Sequence, residues 1–221
     1  MRTLSLFLVL GSLAVIFCVA AVGLGALHSY EMPDGSMEPT LLQGDRLSEM
    51  PLFGSIQRGT LVAFHLPYDQ VSTSVARVVA LPGDHVRVVA GRLVLNGKPV
   101  YEPYLRKSTK GGGVDFPSTA ELLFGSTEIV NPEITRLQDI MYGEMVVNDT
   151  LIVPENDYFV LGDNRGDSVD SRNYGPVSRD SVFARPFCVY STQKIRSSPS
   201  FFTKSLRQMR FLTSPQLEIR P

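Results

Sequence analysis

The chain has 221 residues, a formal net charge of −1, two cysteines and three histidines. A near-neutral balance leaves no electrostatic footprint for nucleic acid. Two cysteines make no disulfide framework, and His28, His65 and His85 lack the spacing of metal ligands. The length suits one domain or two small ones, enough to bury a sizeable core.

Residues 4–27 contain no charged side chain. As a helix this run would span roughly 36 Å, enough to cross a hydrocarbon core of about 30 Å. The apolar core of a cleaved signal peptide is shorter, about 7–15 residues, so the run reads as a transmembrane anchor. Gly23 and Gly25 offer a weak cleavage alternative. Arg2 and the amino terminus favour the cytoplasmic side. Residues 1–3 are therefore expected inside and everything after residue 27 outside. Cys18 then lies in lipid, out of reach of Cys188.

A short connector, 28–33, leads to Asp34-Gly35-Ser36-Met37-Glu38-Pro39-Thr40-Leu41. Even fully extended, it carries Ser36 only about 30 Å from the end of the run. Chemistry at Ser36 is expected near the membrane surface, on a substrate at or in the membrane.

From Leu41 the pattern becomes short β-type runs between turns, with strands expected at 45–48, 60–64, 74–81, 85–89, 92–95, 150–153, 158–161 and 182–190. Pro82-Gly83-Asp84 marks a turn, and Asn96-Gly97 a hairpin. No helix-period stretch of comparable strength stands outside the anchor. The expected fold is mainly β: a barrel or sandwich-like body over 28–100 and 149–192. Residues 101–148 interrupt it as an inserted cap, opened by the breaker Lys110-Gly111-Gly112-Gly113. Residues 193–221 form a basic tail, which reads as a solvated surface with anionic lipid as the alternative partner.

Three blocks carry a resemblance. The first is Ser36-Met37-Glu38-Pro39-Thr40-Leu41 with Gly44-Asp45. The second is Arg77-Val78-Val79-Ala80-Leu81-Pro82-Gly83-Asp84. The third is Tyr158-Phe159-Val160-Leu161-Gly162-Asp163-Asn164-Arg165, continued by Ser168, Asp170-Ser171-Arg172 and Tyr174-Gly175-Pro176-Val177. In this order, behind an N-terminal anchor, they resemble type I signal peptidases, the membrane-bound serine endopeptidases that remove signal peptides from exported proteins.

A serine hydroxyl is a weak nucleophile that needs a base beside it. The resemblance implies a Ser–Lys dyad in which a desolvated lysine takes the serine proton. Ser36 matches the nucleophile, Gly35 the close backbone approach, and the Ser36 N–H an oxyanion donor. Ser168 matches the serine that orients the lysine. Asp170 and Arg172 match a structural ion pair. Arg77, Gly162, Asp163, Asn164 and Arg165 are expected to support the site. Met32, Met37 and Val75 are the candidate pocket walls. The substrate is expected as an added β-strand between residues 32–36 and 74–77, with small side chains entering the pockets.

The sequence departs from the family at two points. The lysine position holds Ala76, whose methyl group accepts no proton; loss of a general base costs about 10²–10⁴-fold. Arg77 stays protonated and cannot replace it, and Lys98, Lys107 and Lys110 fall in a hairpin and a glycine-rich linker. Asp34 stands where some relatives place a hydroxyl that assists the oxyanion hole. It reads as a variation without catalytic meaning, with an unusual base or a repelling charge as alternatives.

The resulting expectation is a signal peptidase I-like serine endopeptidase of the bacterial cytoplasmic membrane. It is single-pass, with a cytoplasmic N-terminus, an extracytoplasmic body, no metal and no cofactor. Its partners are signal-peptide-bearing preproteins and membrane lipid, with no nucleic acid. The alternative is a pseudo-signal-peptidase that binds exported peptides, or regulates a partner peptidase, without cutting.

Overall fold

The computed structural model describes residues 11–12, 28–89, 92–105, 136, 146–147, 150–191, 209–212 and 218–219. Cys18, the expected anchor apart from Gly11 and Ser12, and most of the expected insert and tail lie outside these. Among the described residues no helix is long and apolar enough to cross a membrane.

The mainly β expectation holds. The strands in chain order are β1 (His28–Glu31), β2 (Asp45–Pro51), β3 (Leu61–Leu66), β4 (Asp69–Ala80), β5 (His85–Val89), β6 (Arg92–Leu95) and β7 (Lys98–Tyr101). They continue with β8 (Val146–Val147), β9 (Thr150–Ile152), β10 (Asp157–Leu161), β11 (Val177–Ser178), β12 (Val182–Ser191), β13 (Met209–Phe211) and β14 (Glu218–Ile219). One short helix, α1 (Ser171–Tyr174), precedes β11. The first sheet runs β1-β2-β12-β3-β4-β10-β11, with β13 added to β12; the second runs β14-β7-β6-β5-β9-β8.

Local chemistry accounts for the turns. Asn96 and Gly97 both take positive φ, 53° and 79°, which is what a two-residue hairpin between right-twisted strands requires. β2 alternates in the expected way: Leu47 is buried and Arg46 exposed.

β4 joins the cores. Its outer half is open to solvent, and every residue from Val75 to Ala80 is buried. Val75 packs with Met32, Met37, Leu41, Leu47, Leu61 and Ala63. Ala76 and Val78 pack with Val62, Phe64, Val160 and Tyr174. Val79 and Ala80 reach the second sheet, against Val86, Leu93, Leu95 and Leu151. Apart from Arg77, this half of the strand is apolar on both faces because both faces are covered.

The two edges of β4 differ. Val78 bonds toward the β3 side, its N–H to the Thr60 carbonyl at 2.9 Å and its own carbonyl to the Gly59 N–H at 2.7 Å. Alternate residues of a strand bond to opposite sides, so Thr73, Val75 and Arg77 turn the other way. On that side β10 pairs only as far as Leu161 opposite Arg77. No described strand pairs with Thr73 and Val75 there, and the Thr73 carbonyl accepts the Tyr30 hydroxyl at 3.2 Å.

Glu49 was not anticipated. It points inward from β2, is 2 % exposed, and its Oε1 has no partner among the described residues. Its neighbour across the pair with β12 is Pro186, which has no N–H to offer. Burial pushes its carboxyl up to about 7. A carboxyl raised above its unfolded value contributes stability that is present at low pH and is lost as pH rises through about 7. Thermal melts across about pH 5 to 8 should therefore show Glu49→Gln gaining stability relative to wild type as pH rises; a constant gap would mean that Glu49 is solvated or paired.

Candidate functional site

Ser36 sits in a turn after β1 and is half-buried. The backbone around it is pinned by the third sequence block. The Asn164 N–H donates to the Ser36 carbonyl at 2.9 Å, and Asn164 Nδ2 to the Gly35 carbonyl at 3.0 Å. The Glu38 N–H closes the turn on the Gly35 carbonyl at 3.0 Å. Among the described residues the Ser36 hydroxyl has no hydrogen-bond partner. The Ser36 N–H donates to Asp34 Oδ1 at 2.9 Å.

Gly162 is where the blocks meet. A Cβ built on it would lie 2.3 Å from Ser168 Oγ and 2.6 Å from the Ser36 carbonyl oxygen. Ser36 and Ser168 therefore flank one backbone position that admits no side chain. Gly162 also follows Leu161, the last residue of β10, which stands opposite Arg77; one further step of that ladder would set Gly162 opposite Ala76. Directly opposed residues of an antiparallel pair share a face. On that register the Ala76 methyl would share the face of β4 where Ser36 and Ser168 come together.

Ser168 is held from beneath. Its hydroxyl donates to Asp170 Oδ2, and the Gly162 N–H donates to the same oxygen at 2.9 Å. Arg172 pairs with Asp170 at 2.7 Å, with both side chains almost fully buried. Burial opposes the charge on Asp170, but Arg172, Ser168 and Gly162 hold its carboxyl below the usual range. Asp170 also caps α1 by accepting from the Arg172 N–H, and Asn173 returns a bond to the Asp170 N–H. Arg172 closes the loop through the Arg165 carbonyl at 2.6 Å.

On the opposite face of β4, Arg77 is 1 % exposed. Its Nε and Nη2 grip both oxygens of Asp163 at 2.8 and 2.6 Å, and its Nη1 donates to the Gly59 carbonyl at 2.8 Å. Thr40 Oγ1 donates to Asp163 Oδ2 at 2.5 Å. Tyr104 covers Arg77, its ring centroid 3.9 Å from Cζ. Arg165 pairs with Glu102, which also accepts the Tyr104 hydroxyl at 2.6 Å.

The structure thus brings together Ser36, Gly35, Gly162, Asn164, Ser168, Asp170 and Arg172. Arg77, Asp163 and Arg165 form a buried frame behind them. Met32, Met37 and Val75 share one apolar cluster beside Ser36. Sequence reasoning missed Thr40, Glu102 and Tyr104, the last two because they open the segment read as an insert. It also missed the Tyr30–Thr73 bond, for which the sequence carries no signal. Among the described residues Lys98 is the one lysine, exposed on β7 in the second sheet. Lys107 and Lys110 lie outside the described residues, and no described group of His, Cys, Asp and Glu could hold a metal.

Comparison with known proteins agrees with these blocks. The family described as "Signal peptidase, peptidase S26" matches residues 3–191. A signal peptidase I of Rickettsia conorii is 26 % identical over 211 residues, covering 84 % of this chain and 79 % of that protein. A signal peptidase IB of Staphylococcus aureus is 30 % identical over 178 residues, covering 79 % of this chain and 83 % of that protein. A crystal structure of a signal peptidase I from Enterococcus faecalis is 29 % identical and covers 59 % of this chain and 96 % of its own, with a TM-score of 0.41; so low a score adds nothing about the fold.

Two substitutions test this geometry. Asp163→Ala leaves Arg77 buried without its counter-ion and should cost about 3–5 kcal/mol in chemical denaturation; a loss near zero would mean that water reaches Arg77. Gly162→Ala sets a methyl against the Ser36 backbone and should cost about 1–3 kcal/mol, with shifted amide resonances at Ser36 and Ser168.

Proposed function

The chain belongs to the signal peptidase family, and we propose that it takes the signal-peptide end of exported preproteins as an added β-strand, with cleavage at Ser36 depressed by the absence of a base at position 76. The reading rests on one observation: Ser36 and Ser168 meet over Gly162, and the Ser36 hydroxyl there is unpartnered among the described residues, while position 76 holds an alanine. The expected setting is the extracytoplasmic side of a bacterial cytoplasmic membrane, with residues 4–27 as the anchor.

The binding half of the reading is supported by the open edge of β4. The backbone groups of Thr73 and Val75 face the β10 side of β4, beyond the point where β10 stops pairing at Arg77. An extended peptide can pair there, its small side chains entering the cluster of Met32, Met37 and Val75.

The chemical half follows from the surroundings of Ser168. Its proton is committed to Asp170 and it accepts from Arg172 Nη2 at 3.4 Å, which leaves it one lone pair for a further donor. An amine at position 76 would donate to Ser168 and aim its own lone pair at the Ser36 hydroxyl. It would take the Ser36 proton as Oγ bonds the substrate carbonyl carbon and the carbonyl π pair moves onto oxygen. The same proton would pass to the leaving amine as the C–N bond breaks, and water would hydrolyse the acyl ester. With alanine at 76 the first transfer lacks its acceptor and the second its donor.

A fluorogenic signal peptide with alanine at the first and third positions before the cut tests the reading. Ala76→Lys should raise kcat/KM about 10²-fold or more over wild type. Ser36→Ala in that background should return it to baseline. A wild-type rate equal to that of Ala76→Lys would mean that another base serves Ser36, and the reading would fall.

A further inference from the structure

The Ser36 N–H is the backbone donor that the proposed mechanism aims at the oxyanion, and in this structure it is already used. Asp34 Oδ1 accepts it at 2.9 Å. A backbone N–H makes one good hydrogen bond, so a carboxylate on that hydrogen and an oxyanion on the same hydrogen exclude one another. Both are negative, so they also repel.

The peptide unit cannot turn away to share its donor. It is fixed on both sides, by Asn164 on the Gly35 and Ser36 carbonyls and by the Glu38 N–H on the Gly35 carbonyl. The Asp34 side chain is the movable partner. It is exposed, and water can solvate its carboxylate once the bond is broken.

We propose that Asp34 is a gate on the oxyanion donor of this site: its carboxylate occupies the Ser36 N–H at rest and must swing out before a negatively charged substrate or product oxygen binds there. The inference rests on the proposed function for what the donor serves, and on the Asp34–Ser36 geometry alone for the occupancy. Strand pairing at Thr73 and Val75 lies outside the gate. Asp34 therefore acts on ligands that place a negative oxygen at Ser36, and leaves uncharged ligands of the same groove unaffected.

The test uses the full chain in detergent micelles, with Ala76 in place, so that nothing depends on a restored base. The probe is a synthetic peptide with alanine at its last and third-last positions, made once with a free C-terminal carboxylate and once as the amide. Asp34→Ala should bind the carboxylate form about tenfold or more tighter than wild type, the weight of one charge-assisted hydrogen bond, with affinity for the amide unchanged. Asp34→Asn keeps an oxygen that can accept the N–H and should gain clearly less. An equal gain in both variants would reduce the effect to charge and overturn the gate, as would no gain in either. If neither peptide binds any variant, the peptide-groove reading fails. The Ser36 amide exchange rate, read by NMR on the same samples, then decides the inference. Acceleration by about tenfold or more in Asp34→Ala upholds the occupied donor, and an unchanged rate overturns it.

Discussion

The buried pair of Arg77 and Asp163 is the contact on which the rest of the site depends. Burying two charges is costly, and mutual attraction offsets the cost only when every remaining donor and acceptor is met. Here they are met by parts of the chain far apart in sequence. Gly59 receives one arm of Arg77, Asp163 takes the fork, and Thr40 supplies a third donor to Asp163. The entry to β3, the strand β4, the turn after Ser36 and the Gly162–Ser168 loop are therefore tied by one polar node. Neither charge tolerates the loss of its partner, so the four segments are held in one arrangement. The node supplies no group to any reaction. It fixes where Ser36 stands relative to β4.

Position 76 lies on the other face of the strand, and that separation explains how the fold holds without a lysine. Ala76 is enclosed by Val62, Phe64, Val78 and Tyr174. A small apolar residue suits that enclosure at no desolvation cost, whereas a lysine would have to surrender its charge or find a partner there. The frame that positions Ser36 draws nothing from residue 76.

Much of this was legible in the sequence. The strands around β3–β6, β10 and β12 were readable from β-branched runs between turn signals, and Asn96-Gly97 forms the hairpin its chemistry predicts. Val78 and Val79 gave no periodic signal because β4 is covered on both faces, so its extension back to Asp69 through exposed residues was not visible. The grouping of Ser36 and Ser168 was legible only through resemblance, since spacing alone does not tell which distant blocks touch. Glu49 and Tyr30 were missed because nothing local distinguishes an inward carboxylate or a bridging phenol from a surface one. Only the pairing of β1, β2 and β12 turns Glu49 inward. Asp34 stands out in the sequence beside Ser36, but only the fold of the turn decides that its carboxylate faces the Ser36 N–H.

Tyr30 adds the last step. Its hydroxyl donates to the Thr73 carbonyl, on the edge of β4 where the proposed peptide strand would pair. Burial, then the charges of Asp34 and Glu49, push its phenol up to about 12, so it remains a donor throughout the physiological range. A strand that pairs as far as Thr73 has to replace this bond with one of its own, and the net change is small because one neutral hydrogen bond is exchanged for another. At Ser36 the exchange is unequal, since a carboxylate must leave a donor before another negative oxygen takes it. The same short segment, residues 30–36, therefore sets a low threshold for holding a peptide and a high one for developing charge on it. In the proposed reading, that inequality and the methyl at position 76 favour binding over cleavage.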